Sequence, residues 1–141
     1  MAADAAGFGV FDHTADVGVR AWGPDLPAAF AHAARGLFSL LVPLAAVRET
    51  TAREIAVAAG DPESLLVAWL DELLFVFETE GLVFARFEVA LPSATTLAAT
   101  AHGEPFDPAR HRGGVVVKAA TYHQIAVDPG PPARVQVILD I

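Results

Sequence analysis

The stretch Asp61–Gly81, DPESLLVAWLDELLFVFETEG, decides the fold. Asp61 offers a capping oxygen, Pro62 a first-turn residue whose missing N–H is not needed there, and Glu63 a carboxylate at the positive end of the helix dipole. Leu65, Leu66, Trp69, Leu70, Leu73, Leu74 and Phe77 then recur at helical spacing as a wide apolar stripe, with Asp71 and Glu78 turned elsewhere. Gly81 stands just past the helix end, where a left-handed residue is favoured. Directly after it, Val83, Ala85, Phe87 and Val89 alternate with the period of a strand. A long apolar helix running straight into strands makes this segment the central core element.

Outward from it, a second helix is predicted N-terminally. Asp25 reads as its N-cap, Pro27 sits in its first turn, Leu26, Phe30, Ala33, Leu37 and Leu41 share a face, and Pro43 stops it. Short strands are expected at Phe8–Phe11, Val17–Trp22 and Thr50–Ala58. Pro92-Ser93 breaks the strand after the central helix, and Thr95–His102 pairs back on it as a hairpin. A polar exposed loop is expected from Gly103 to Gly114, followed by strands Val115–Tyr122, His123–Val127 and Arg134–Ile141, with a turn at Pro129-Gly130-Pro131-Pro132. The expected class is α+β, two helices packed on one mostly antiparallel sheet. No linker or repeat divides the 141 residues, so a single domain is expected over 1–141.

Composition limits the function. Nine Lys and Arg against seventeen Asp and Glu give a net charge of −8, with no basic run and one lysine, Lys118. Nucleic-acid affinity comes largely from cations that neutralise phosphates, so any link to nucleic acid should run through a protein partner. The absence of cysteine excludes disulfides, thiolate metal sites and cysteine nucleophiles. Residues 1–10 lack the basic flank and apolar stretch of a signal peptide. The apolar run from Leu65 is cut by Asp71 and Glu72, too short to span a bilayer. A cytoplasmic protein without membrane attachment is expected.

Two places could carry chemistry. Asp12-His13-Thr14-Ala15-Asp16 sets two carboxylates and an imidazole beside a strand start, which suits cation binding or acid–base work and equally suits a polar turn. At the other end, Val135, Val137, Leu139 and Ile141 alternate with Gln136, Ile138 and Asp140, so a strand runs to the final residue. There the Asp140 side chain and the Ile141 α-carboxylate are two anionic donors a few ångströms apart. A hard cation is one way to offset their repulsion, and Asp16 would complete an all-oxygen set suited to Ca²⁺ or Mg²⁺. The other reading makes Asp140 a solvated strand-end residue. His102, Glu104, Asp107 and His111 lack a His-x-x-x-His pair, and Glu104-Pro105 and Asp107-Pro108 read as turn formers in an exposed loop. No Ser or Thr has a nucleophile's setting, and no Gly-rich loop cradles a phosphate.

These segments together resemble the archease family across nearly the whole chain. The matching pieces are Asp12–Val19, Ser64–Leu74 leading into Phe77–Phe84, Gly103–Pro108, Val117–His123 and Val137–Ile141. The segment Val42–Gly60 matches no family motif. The resemblance implies a non-catalytic protein that assists an RtcB-type RNA ligase, which joins 3′-phosphate or 2′,3′-cyclic phosphate ends of RNA to 5′-hydroxyl ends in tRNA splicing and RNA repair. It implies promotion of ligase guanylylation and multiple turnover, contact with nucleic acid only through the ligase, and a metal site carried over onto Asp16, Asp140 and Ile141. Two other classes stay open: a metal-dependent hydrolase using His13 or His123 as base, and a chaperone-like domain acting through an apolar surface.

Overall fold

The computed structural model describes residues 5–13 and 16–141. The order of elements is β1 (Gly7–His13), β2 (Asp16–Gly23), α1 (Leu26–Leu41), β3 (Thr51–Ala58), α2 (Pro62–Glu80), β4 (Leu82–Ser93), β5 (Thr96–Pro105), β6 (Ala119–Asp128) and β7 (Ala133–Asp140), with a 3₁₀ turn at Leu44–Ala46.

Both helices begin and end where local chemistry directs. The Asp25 carboxylate accepts the Ala28 N–H at 3.0 Å, and the Asp61 carboxylate accepts the Ser64 N–H at 2.7 Å, each with a proline in the first turn. These caps satisfy N–H groups that the helix cannot, and removing one typically costs about 1 kcal/mol. Gly81 ends α2 at φ 67°, a conformation that disfavours a Cβ.

The seven strands form two antiparallel sheets rather than the single one expected, ordered β1-β2-β7-β6 (sheet A) and β3-β5-β4 (sheet B). The reason lies in the helices. Leu65, Leu66, Val67, Trp69, Leu70, Leu73, Leu74 and Val76 of α2 are all buried, which is more than one stripe, so one covering layer would leave apolar surface in water. Helix α1 touches β1, β2 and β7 of sheet A and β4 of sheet B; α2 touches β6 of sheet A and all three strands of sheet B. The buried apolar residues of both sheets and both helices join in one cluster. Within it the Trp69 indole N–H donates to the Phe30 carbonyl at 3.0 Å, tying the helices together where an unpaired buried indole N–H would be costly. Helix α1 is pressed so closely on β2 that a Cβ on Gly36 would come within 2.6 Å of Val19 Cγ1.

Three boundaries differ from expectation. Strand β4 continues through Pro92 to Ser93, because β4 is an edge strand and the proline's missing N–H faces no partner. Gly103, Glu104 and Pro105 belong to β5 and not to a loop. Residues 115–118 are not in a strand, and Ala119–Asp128 is one strand whose register with β7 shifts between Thr121 and Ala126, around Gln124 at φ 52°.

Candidate functional site

Sheet A has two faces of different character. Val19 and Ala21 of β2 and Val135, Val137 and Leu139 of β7 point toward the helices and are buried. By strand alternation, Asp16, Gly18, Arg20 and Trp22 and the facing Arg134, Gln136, Ile138 and Asp140 lie on the outer face. The β2–β7 register sets Val17 opposite Leu139, and Asp16 and Asp140 are the next residues of the two strands beyond that pair. Residues directly opposed in an antiparallel pair have Cβ atoms roughly 4.5–5.5 Å apart, and like charges there repel. The structure thus brings Asp16 and Asp140, distant in sequence, to one end of the outer face, with the exposed Ile141 next in line.

The surroundings hold this end in place. The Asp140 carbonyl accepts the Lys118 N–H at 2.7 Å, and the Thr121 hydroxyl donates to the Ile138 carbonyl at 2.8 Å, so β6 is fastened beside Asp140. A Cβ on Gly18 would meet the Phe11 ring at 2.0 Å, which means the ring lies flat over that glycine. Ile138, opposite Gly18, is fully buried although it lies on the outer face. The carboxylate pair therefore borders an apolar floor.

Other acids of the sequence motifs are placed elsewhere. Asp12 pairs with Val17 and so shares the inner-side orientation, away from Asp16. Thr14 and Ala15, and the side chain of His13, lie outside the described residues. Asp71 does not simply face away from the core: its carboxylate accepts the Ala120 N–H at 2.8 Å at the free edge of β6, and burial pushes its carboxyl above the ordinary value, opposed by that hydrogen bond. Among the described residues, no group of three or more His, Cys, Asp or Glu side chains gathers within metal-binding range. His123 is exposed, and its backbone N–H donates to the Thr121 hydroxyl at 3.3 Å.

The Gly103–Gly114 region corrects an expectation. It is not an exposed polar loop: Glu104 and His111 are buried, 4% and 0% exposed. Glu104 Oε1 accepts from Arg110 Nη2 at 2.7 Å; Oε2 accepts from Arg110 Nη1 at 2.9 Å, the Arg48 N–H at 2.8 Å and His111 Nε2 at 2.9 Å. His111 Nδ1 in turn accepts the Asp107 N–H at 2.8 Å. The Arg110 guanidinium, followed by the Arg48 N–H, holds the Glu104 carboxyl well below the usual carboxylate range. Every ring nitrogen and both carboxylate oxygens are engaged, so this is a clamp joining β5 to the segment after it and not a poised acid or base. Its sequence signal was the inward position of Glu104 in an extended β5. Gly103 permits the approach there, since a Cβ would fall 1.8 Å from the Val83 carbonyl oxygen. His102 joins a surface network on sheet B, 2.7 Å from Glu88, whose carboxylate also meets Arg86.

Comparisons with known proteins show relatives of this chain and of its fold. The family model described as the archease protein family (MTH1598/TM1083) matches residues 8–141. A protein archease of Pyrococcus abyssi is 40% identical over 136 residues, covering 93% of this chain and 96% of the relative. One of Sulfurisphaera tokodaii is 38% identical over 122 residues, covering 86% and 88%. The solution structure of Methanobacterium thermoautotrophicum protein 1598 superposes with a TM-score of 0.81 at 36% identity, covering 96% of this chain and 99% of that one.

Proposed function

The chain belongs to the archease family, and from that premise we propose that it is a non-catalytic, cytoplasmic activator of an RtcB-type RNA ligase. In this reading it promotes guanylylation and multiple turnover of the ligase in tRNA splicing and RNA repair. It meets RNA only through that partner.

The observation that carries the reading is that Asp16 and Asp140 stand at the same end of the neighbouring strands β2 and β7, with Ile141 following Asp140. Two carboxylates and the carboxylate at Ile141 form a hard, all-oxygen donor set, the chemistry that Ca²⁺ or Mg²⁺ selects. The set contains neither thiolate nor imidazole, so it does not suit zinc. When bound, a divalent cation would supply charge neutralisation and an electrophilic centre. Asp16 and Asp140 would hold such a cation, and the Lys118 N–H and Thr121 hydroxyl keep β6 and β7 aligned so that Asp140 stays in position. The net charge of −8 favours encounter with a protein surface basic enough to hold RNA.

The test is multiple-turnover joining of 3′-phosphate and 5′-hydroxyl RNA ends by the cognate ligase, with and without substoichiometric amounts of this protein. Stimulation is expected and should be lost in a folded Asp16→Ala protein. Absence of stimulation across several nucleotides and divalent metals would overturn the activator role; full activity of Asp16→Ala would overturn the part assigned to the carboxylates.

A further inference from the structure

Strand β6 does not run evenly beside β7. Ala119, Ala120 and Thr121 stand opposite Asp140, Leu139 and Ile138, and the ladder resumes with Ala126 opposite Gln136. Residues 122–125 thus have only Val137 to face, and the surplus leaves the ladder as an arch. Tyr122 follows Ala119, the partner of Asp140, by three residues, roughly 10 Å at strand rise. The arch therefore stands beside the carboxylate end of sheet A.

Its shape is held from both feet. At the entry, the Thr121 hydroxyl donates to the Ile138 carbonyl at 2.8 Å and accepts the His123 N–H at 3.3 Å. At the far side, Gln136 Nε2 donates to the Gln124 carbonyl at 2.9 Å, while Gln136 Oε1 accepts from Arg20 Nε at 2.9 Å. Gln124 sits at φ 52°, in the left-handed region that a side chain disfavours and that surrounding contacts must maintain. Among the described residues no other non-glycine has a positive φ. On this braced backbone Tyr122 is 59% exposed. A large ring on a fixed backbone loses little freedom when a partner covers it, which suits it to anchor an interface.

We propose that this arch is a docking element for the ligase, with the Tyr122 ring as its anchor and an arginine of the ligase surface laid over that ring. The proposal rests on the activator reading and names the contact by which the two proteins meet. Charge selects the partner's chemistry: Asp12, Asp16 and Asp140 stand at this end of β1, β2 and β7, against the single lysine, Lys118, whose N–H is bonded to the Asp140 carbonyl. A guanidinium placed here gains the aromatic face and the acidic field together. Nucleic acid is the poorer occupant, because the same carboxylates repel its phosphates. Tyr122 is not among the cation donors, so docking and cation binding separate by substitution.

The experiment is calorimetric titration of the cognate RtcB-type ligase, without RNA, with the full chain as parent, Tyr122→Ala, Tyr122→Phe and Glu88→Gln. Tyr122→Ala should weaken binding about tenfold or more, and Tyr122→Phe, which keeps the ring, by less than about threefold. Glu88→Gln, in the surface network of sheet B, should leave affinity unchanged. Tyr122→Ala should also keep the parent's Tm and its rise with Ca²⁺, which separates lost docking from a damaged donor set; a fall in that Tm would make the tyrosine structural and overturn its docking role. A parent that binds, with Tyr122→Ala binding equally well, overturns the docking element alone. A parent that neither binds nor stimulates the ligase overturns the activator reading, and the docking element falls with it. Tyr122→Phe as weak as Tyr122→Ala would overturn the ring as anchor. Binding of a short single-stranded RNA by the chain alone, lost in Tyr122→Ala, would replace protein docking with a nucleic-acid surface.

Discussion

Replacing Asp140 by Asn separates two consequences of neighbouring carboxylates. Continuing the β2–β7 register by one residue would set Asp16 opposite Asp140, and for charge centres roughly 5 Å apart 332/(εr) gives about 0.8 kcal/mol of repulsion in water and about 3 kcal/mol at an effective dielectric near 20. Both residues are partly exposed, which favours the low end, about 1 kcal/mol. For 141 residues the unfolding entropy is roughly 300 cal/mol/K, so 1 kcal/mol corresponds to about 3 °C in Tm. A cation at a hundredfold excess over its Kd adds about 2.7 kcal/mol, or about 9 °C. In chelator, Asp140→Asn should therefore melt about 3 °C above the parent protein. In saturating Ca²⁺ the order should reverse, because the parent gains the larger increment. Differential scanning calorimetry with EGTA and with stepped Ca²⁺ and Mg²⁺ reads both. A variant that melts lower than the parent in chelator refutes the repulsion, and one that keeps the full cation-induced rise refutes the donor role.

Three further outcomes are expected. Extending the chain beyond Ile141 turns its carboxylate into an amide, so a C-terminal tag should abolish most of the cation-induced rise in Tm while an N-terminal tag should not; an equal rise in both would remove Ile141 from the donor set. Glu104→Gln should lower Tm at neutral pH and flatten the acid side of the stability profile. The folded chain holds that carboxyl below its ordinary value of 4.5, so its contribution is complete above about pH 4.5 and is lost as pH falls from there; an unchanged acid profile by circular dichroism would show the clamp contributes nothing. Gly103→Ala should destabilise by at least about 2–3 kcal/mol in urea unfolding, since its Cβ would fall on the Val83 backbone, which cannot move aside as a side chain can; a loss under 0.5 kcal/mol would mean β4 and β5 separate there at little cost.

Several parts of this molecule are written locally and were legible in the chain alone. Asp25 with Pro27, and Asp61 with Pro62, mark helix starts because a cap acts on N–H groups two or three residues away. Gly81 marks an end because its backbone angle is a property of one residue. The alternation of Val135, Val137 and Leu139 exposed the last strand, and with it the even positions that end at Asp140. The family resemblance, read from motifs spread over the chain, is borne out by the family model and the relatives.

What the tertiary structure decided depends on contacts between distant segments. The division into two sheets follows from helices buried on more than one face, a fact that periodicity within either helix does not express. Glu104 and His111 look like loop residues because local propensity sees the prolines beside them; only packing brings Arg110 and the Arg48 N–H to a buried carboxylate that needs them. The same holds on sheet A. Sequence named Asp16 and Asp140 as acids at two chain ends, but the β2–β7 pairing is what brings them to the same end of sheet A. That register is global: slipping one residue would turn every buried Val and Leu of β7 to solvent, so burial of the whole strand fixes where its two acidic and basic ends must lie.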